Sequence, residues 1–338
     1  MGFLYNSFFK NKAVLFFCPC FFNYEQIIKN ELIKLGVNVD FFDERSVKSS
    51  FHRALLKISP YIFKNRTERY YNYIFNIVKD KKYDYVLFID CEMPTDSILR
   101  QYREHFETAK FCLYLWDSIN NLHDIERKFQ YFDYISSFDK NDCEKNNKLK
   151  FRPLFYSDEY SDKNKFINRL NDVCFIGTIH SDRYRILSLI SKQIENLGLK
   201  GYFYCFLQSK FIYYFYKLYK KEFWNTKADD FNYSSLPSKD IARIIGQSDV
   251  VIDINHPNQN GLTMRSIEAL GMRKKLITTN SDIVNYDFYN ENNIYIIDRD
   301  NPVIKPDFFK TEYIPIPDEI YKRYSLNQWI FDVLGIKQ

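Results

Sequence analysis

Residues 13–17, Ala-Val-Leu-Phe-Phe, form an unbroken apolar run, and the way the chain continues from it constrains the fold most. After Cys18-Pro19-Cys20 the apolar residues fall into helical period (Ile27, Ile28, Leu32, Ile33, Leu35) until Gly36, and a second run spans Val37 to Phe42. Strand, helix, strand is a βαβ unit. Strands with no polar alternation must be covered on both faces, as they are in a parallel sheet flanked by helices. A helical region follows from Val47 to Lys79, with a break at Pro60. Tyr85 to Ile89 then runs into Asp90-Cys91-Glu92, a helix spans Asp96 to Glu107, and Phe111 to Leu115 runs into Trp116-Asp117-Ser118. Tyr134 to Phe138 is a further strand, and the charged stretch Lys140 to Lys150 begins a connection. Polar and acidic residues thus repeatedly follow a buried strand at its carboxyl end, the edge where open α/β sheets bind ligands.

Arg152 to Tyr156 and the polar stretch Ser157 to Lys165 read as an interdomain linker, after which the series restarts. Val173 to Ile176 is a strand, Gly177-Thr178-Ile179-His180 a turn, and Ser181-Asp182-Arg183 opens a helix to Leu197. Further strands are expected at 201–207, 250–254, 275–279 and 294–297, with helices at 241–246 and 263–270 and a helical pattern from Asp318 to Leu334. No short internal repeat appears. A chain of 338 residues suits two domains. The expected architecture is α/β, with two Rossmann-like domains facing across a cleft: a first domain at 1–155, a second at 156–317, and a helix at 318–338 packing back towards the first.

Composition removes several function classes. The nine glycines include no pair separated by one residue, and no Gly-Lys occurs, so neither the GxGxxG dinucleotide fingerprint nor a P-loop is present. Only Gly2 and Gly36 precede Gly177, which leaves phosphate-loop glycines to the second half. A net charge of +5 spread along the chain does not indicate nucleic acid. The 28 Tyr and 32 Phe accompany abundant Lys, Asn and Ile, residues of AT-rich codons, which favours genome composition over a base-stacking surface. Seven cysteines without a CxxC pair suggest reduced thiols and indicate no zinc site or disulfide framework. The start, MGFLYNSFFKNK, lacks a signal-peptide core, and the apolar run Ala13 to Phe22 is interrupted by Pro19 and short of the roughly 20 residues of a spanning helix. A cytoplasmic protein is expected.

The most informative stretch is Asp253 to Gly271. A buried strand leads through a polar loop to Gly261-Leu262-Thr263, where a helix starts; its free amides and dipole favour an anion, and the glycine lets a diphosphate approach. Thr263 offers a hydroxyl donor, Arg265 a phosphate clamp, and Glu268 a carboxylate for the ribose of a nucleotide. The alternatives are a surface cation at Arg265 and a helix-surface or capping carboxylate at Glu268. Gly177-Thr178-Ile179-His180-Ser181-Asp182-Arg183 is the matching loop, with Arg183 as a phosphate contact or a partner of Asp182, and His180 the best placed of the histidines. No His/carboxylate spacing suggests a metal.

The stretch resembles the donor motif of GT-B glycosyltransferases, a carboxylate, seven residues and a second carboxylate around the nucleotide sugar. Glu268 matches the second position; the first is Asn260, so the carboxylate proposed to act near the sugar in retaining families is missing. Gln259 to Glu268, Ala269-Leu270-Gly271 and Lys274 to Asn280 resemble bacterial lipopolysaccharide and capsule transferases related to the CgeB-like group. The resemblance implies a nucleotide diphosphate-sugar donor, UDP-linked, on the second domain, with no metal or other cofactor, and inversion at the anomeric carbon. It implies a cell-surface polysaccharide or lipid-linked oligosaccharide acceptor on the first domain, which also supplies a general base. Asp117, beside Trp116, is the first choice for that base, with Glu92 and Asp90 as the others; the alternative for Asp117 is a helix cap. Lys210 to Trp224 mixes cations and aromatics at helical spacing, suited either to a core helix or to peripheral contact with the inner face of the plasma membrane. A nucleotide-sugar 2-epimerase and a non-catalytic nucleotide-sugar-binding assembly partner are the competing functions.

Overall fold

The computed structural model describes residues 8–46, 64–162, 168–257 and 261–336. The chain divides into two units: Met1–Pro153 with Leu326–Gln338, and Leu154–Ser325.

In the first unit a six-stranded sheet is built from β1 (Ala13–Cys18), β2 (Asn38–Asp43), β3 (Tyr85–Ile89), β4 (Lys110–Leu115), β5 (Tyr134–Ser137) and β6 (Leu149–Phe151). The order is β2-β1-β3-β4-β5-β6, and every pairing is parallel. Helices α1 (Tyr24–Lys34), α2 (Lys64–Val78), α3 (Asp96–His105), α4 (Ile125–Lys128) and α5 (Lys140–Lys145) connect the strands. Gly36, at φ 91°, ends α1 in the left-handed turn that a side chain would disfavour, and Gly36 N and Val37 N close on Ile33 O and Leu32 O. Of the expected helical region 47–79, residues 47–63, with the break at Pro60, lie outside the described residues, and the rest is α2.

The second unit holds a five-stranded parallel sheet of β7 (Asn171–Thr178), β8 (Gly201–Phe206), β9 (Ser248–Asp253), β10 (Lys275–Thr278) and β11 (Ile294–Ile296), ordered β11-β10-β9-β7-β8. Its helices are α6 (Arg183–Asn196), α7 (Lys210–Tyr219), α8 (Ser238–Gly246), α9 (Met264–Gly271) and α10 (Asp318–Arg323). A last helix, α11 (Leu326–Val333), belongs to the first unit.

Much of the aromatic content fills these cores. Phe17 stacks on Phe88 at 4.4 Å, with Tyr71 and Tyr102 around them, all fully or almost fully buried. Their hydroxyls find carbonyls: Tyr71 donates to Glu44 O at 2.7 Å and Tyr102 to Tyr71 O at 2.8 Å. A buried Tyr is tolerated because its polar tip is paired.

Four expectations need correction. Lys140–Lys150 is not a plain connection: Asp139 caps α5 by accepting from Asn141 N, and β6 pairs with β5. The Ser157–Tyr160 part of the supposed linker is packed structure, with Tyr156 and Tyr160 buried and Tyr156 N bonded to Tyr324 O; residues 163–167 are not described. Gly177 and Thr178 are not a turn, because β7 continues through them, pairing with Cys205 and Phe206. The pattern from Asp318 to Leu334 is two helices, α10 ending in the first turns before Ser325 and α11 beginning at Leu326.

Candidate functional site

In each sheet the strand order reverses once, between β1 and β3 and between β7 and β9, and the carboxyl ends on either side of such a point form the natural ligand crevice. In the second unit this edge is rich in cations. Arg183, the first residue of α6, donates from Nε to Ile254 O at 2.7 Å and from Nη1 to Thr178 O at 2.8 Å, tying the ends of β9 and β7 together. Gly177 lies beside it: a Cβ there would come 3.0 Å from Phe175 Cζ and 3.4 Å from Arg183 Nη1.

His180 and His256, from the two strand ends, face each other with ring centroids 5.5 Å apart. Burial, with Arg183, His256 and Lys220 adding to it, pushes His180 down to about 4, so its imidazole is neutral at physiological pH. Arg299, beyond β11, completes the cluster. Its Nη1 meets Asp182 Oδ1 at 2.7 Å, and its Nη2 donates to Asn255 O at 2.7 Å, Asn255 Oδ1 at 2.8 Å and Thr279 Oγ1 at 3.1 Å. Lys220 Nζ donates to Ser181 O. Sequence reasoning missed Arg299, whose position after a short strand carried no motif.

The start of α9 lies at the same edge. Thr263 is its N-cap, accepting from Ser266 N at 3.3 Å, and its hydroxyl donates to Asp253 Oδ2 at 2.6 Å, as does Ser266 Oγ. The proton expected to serve a ligand is thus given to Asp253. Gly261 and Leu262 precede the cap, with Asn280 Nδ2 donating to Gly261 O at 3.3 Å; residues 258–260, Asn260 among them, are not described. Arg265 and Glu268 are brought together, Nη1 to Oε2 at 2.5 Å, with Glu268 only 1% exposed. Glu268 is neither a surface carboxylate nor a cap: it is buried and ion-paired one turn into the helix.

At the first unit's edge the acids separate sharply. Asp117 is exposed and accepts from Ser118 N at 2.9 Å and Asn121 Nδ2 at 2.7 Å, so it organises the short turn that follows β4. Trp116 packs at 5.5 Å from Tyr24. Asp90 is set deeper. Its Oδ1 accepts from Trp116 N at 2.7 Å, and burial, reinforced by the charge of Asp117, raises its carboxyl to about 7. Asp90 and Cys91 take φ values of 65° and 55°, consecutive left-handed residues without a glycine. The buried Lys128 donates to the carbonyls of Cys91 and Glu92 at 2.9 and 2.7 Å. Glu44, fully buried, accepts from Met93 N at 2.5 Å, has no partner for Oε2 among the described residues, and is raised by burial to about 8. Glu92 is half-buried on the same loop. Among the described residues no group of His, Cys, Asp and Glu side chains is arranged to hold a metal ion.

No protein-family model matches this chain, and no curated protein matches it. Solved structures do. A sucrose-phosphate synthase from Thermosynechococcus elongatus is 10% identical at a TM-score of 0.55, with 96% of this chain and 95% of that chain covered. HepE from Anabaena, in complex with UDP and glucose, is 11% identical at a TM-score of 0.55, over 96% and 100% of the two chains. The UDP-GlcNAc 2-epimerase of Methanocaldococcus jannaschii is 10% identical at a TM-score of 0.52, over 96% and 99%. The likeness is one of fold: two Rossmann-like α/β domains, as in GT-B proteins.

Proposed function

We propose that this chain is a glycosyltransferase that moves a sugar from a nucleotide diphosphate, UDP foremost, to a cell-surface glycan or lipid-linked oligosaccharide. The observation that carries the reading is the cation cluster of Arg183, Arg299 and Lys220 at the β7/β9 strand ends, beside the start of α9. Fixed positive charge and helix amides at such a point suit a diphosphate. The likeness to HepE, a UDP complex, supports the same assignment.

The second unit holds the donor. Its diphosphate sits against Gly261, Leu262 and the first amides of α9, within the field of Arg183 and Arg299. Glu268 serves the ribose by exchanging Arg265 for the two hydroxyls. The first unit holds the acceptor, and Asp90 takes the place first given to Asp117. The acceptor oxygen attacks the anomeric carbon while the Asp90 carboxylate takes its proton. The carbon–oxygen bond to the β-phosphate breaks, and the nucleoside diphosphate leaves with the bonding pair. The anomeric centre inverts. A carboxyl raised to about 7 is better matched to a hydroxyl proton than an exposed aspartate, and the leaving charge is met by prearranged cations and amides.

The test is nucleotide release from a panel of UDP-, GDP- and CMP-sugars, with and without lipid-linked acceptor. Acceptor-dependent release from one donor is expected. Asp90→Asn should lower kcat by about 10²–10⁴-fold with donor affinity kept, whereas Asp117→Asn should leave most turnover. The reverse pattern would return the base to Asp117. A second reading is favoured by the His180–His256 pair: a nucleotide-sugar 2-epimerase, as in the Methanocaldococcus jannaschii structure, would convert the donor with no acceptor present. Tight donor binding without turnover would leave a binding partner.

A further inference from the structure

Helix α7 is apolar on both sides, with Tyr213 buried in the core and Ile212 and Tyr216 packed against it. Its inward side carries Tyr213, whose hydroxyl donates to Thr226 O at 2.8 Å, and Lys217, whose Nζ reaches Tyr213 Oη at 3.1 Å and Thr226 O at 2.7 Å. Its outward side is apolar: Phe211 is 78% exposed, Leu218 and Tyr219 each 74%, with Tyr214 and Phe215 also open and Trp224 exposed just beyond. Positions 211, 214, 215, 218 and 219 fall on one face of a helix. A contiguous apolar face on a soluble protein marks a contact surface.

Charge identifies the occupant. From Ser209 to Lys227 the lysines are Lys210, Lys217, Lys220, Lys221 and Lys227, against Glu222 alone, with Asp229 and Asp230 following in the next turn. Lys210, Lys221 and Lys227 are exposed, Lys210 and Lys221 flanking the aromatic helix in sequence. A second copy of this chain pairing by two-fold symmetry would bring these cations towards one another. Anionic headgroups complement them. Rings with polar tips, a Trp and flanking lysines are the side chains that settle at a membrane interface. Among the described residues no helix is long and apolar enough to cross a membrane, so the contact would be peripheral.

We propose that the outward face of α7, with Trp224, docks on an anionic bilayer, the helix lying in the interface plane with its rings below the phosphates and its lysines on them. This goes beyond the transferase reading, since vesicle binding is measured without any donor. The full chain is sedimented with vesicles of phosphatidylglycerol and phosphatidylcholine, or of phosphatidylcholine alone, at low and high salt. Binding to the anionic vesicles, weakened by salt and accompanied by a blue shift of Trp fluorescence, is expected. The double variant Phe211→Ser/Leu218→Ser, confirmed to melt like the parent because both side chains face solvent, should bind at least about tenfold more weakly. Equal binding by the variant, or none by the parent, overturns the proposal. So does a parent that is dimeric by analytical ultracentrifugation while the variant is monomeric and neither binds vesicles, which would assign the face to a second copy.

Discussion

Two consecutive non-glycine residues in the left-handed region, Asp90 and Cys91, cost about 1–3 kcal/mol each, so something nearby must hold them. Four bonds do: Trp116 N donates to Asp90, Lys128 donates to the Cys91 and Glu92 carbonyls, and Met93 N donates to Glu44. The last has a pH signature. Glu44 keeps its proton to about 8 in the folded chain but loses it near the ordinary 4.5 when unfolded. Between those values the folded state binds more protons, so this group's contribution to stability is intact below 4.5 and is lost as pH rises through 8. Glu44→Gln, which can still accept from Met93 N, should melt at a temperature that gains on the parent between pH 5 and 8, with an ideal slope of about 1.4 kcal/mol per pH unit. A pH-independent difference would mean Glu44 is ionised in place. At this scale the sequence was only partly legible. Asp90, Glu92 and Asp117 all follow apolar runs, and nothing in the runs says which carboxyl a neighbour's amide draws inward. Arg299 was invisible because Asp182, Asn255 and Thr279 meet it only through the fold.

The strands were the most readable elements, since runs such as 13–17, 85–89 and 250–254 are apolar enough to demand cover on both faces. Short polar elements were not: β6, Leu-Lys-Phe, has no periodicity to read and exists because β5 pairs with it. Glycines mislead in the same way, because a loop glycine and a packing glycine look alike in sequence. At Gly177 a Cβ would come 3.0 Å from Cζ of the buried Phe175, which would have to give by a few tenths of an ångström, and 3.4 Å from Arg183 Nη1, an ordinary contact. At the end of α9, the Cβ of a residue in place of Gly271 would collide with Tyr160 O and the Tyr156 side chain, and Tyr156 is buried. Gly271→Ala should therefore cost about 1–3 kcal/mol by overpacking. Gly177→Ala should lower the melting temperature less than Gly271→Ala and, on the proposed donor assignment, leave UDP binding unchanged, because Arg183 need not move. Calorimetry and isothermal titration check these outcomes; equal destabilisation by both would mean that Gly177 is packing as tightly as Gly271.

The two units differ in how the chain closes them. The second is contiguous: Tyr156 and Ser325 form a parallel bridge, and Tyr156 N bonds to Tyr324 O at 2.8 Å, so its ends meet. The first is completed from the far end of the sequence. In α11, Trp329 is fully buried against Tyr114 at 4.8 Å and Phe331 against Phe9 at 4.8 Å; Asp332 pairs with Arg152 at 2.7 Å, and Lys110 Nζ donates to Gly335 O at 3.1 Å. During synthesis, then, the first unit's core stays open until the second unit has been made, whereas domains usually fold in order of emergence. Removing a buried Trp costs about 3–5 kcal/mol, a large share of the stability of an ordinary domain. A fragment of residues 154–325 should accordingly give a cooperative thermal transition on its own. A fragment of residues 1–153 should not, and joining residues 326–338 to it through a flexible linker should restore one, with Trp329→Ala in that fusion abolishing it again. If residues 1–153 alone melted cooperatively at the temperature of the fusion, α11 would be an ornament on a finished sheet and the first unit would fold without waiting for the end of the chain.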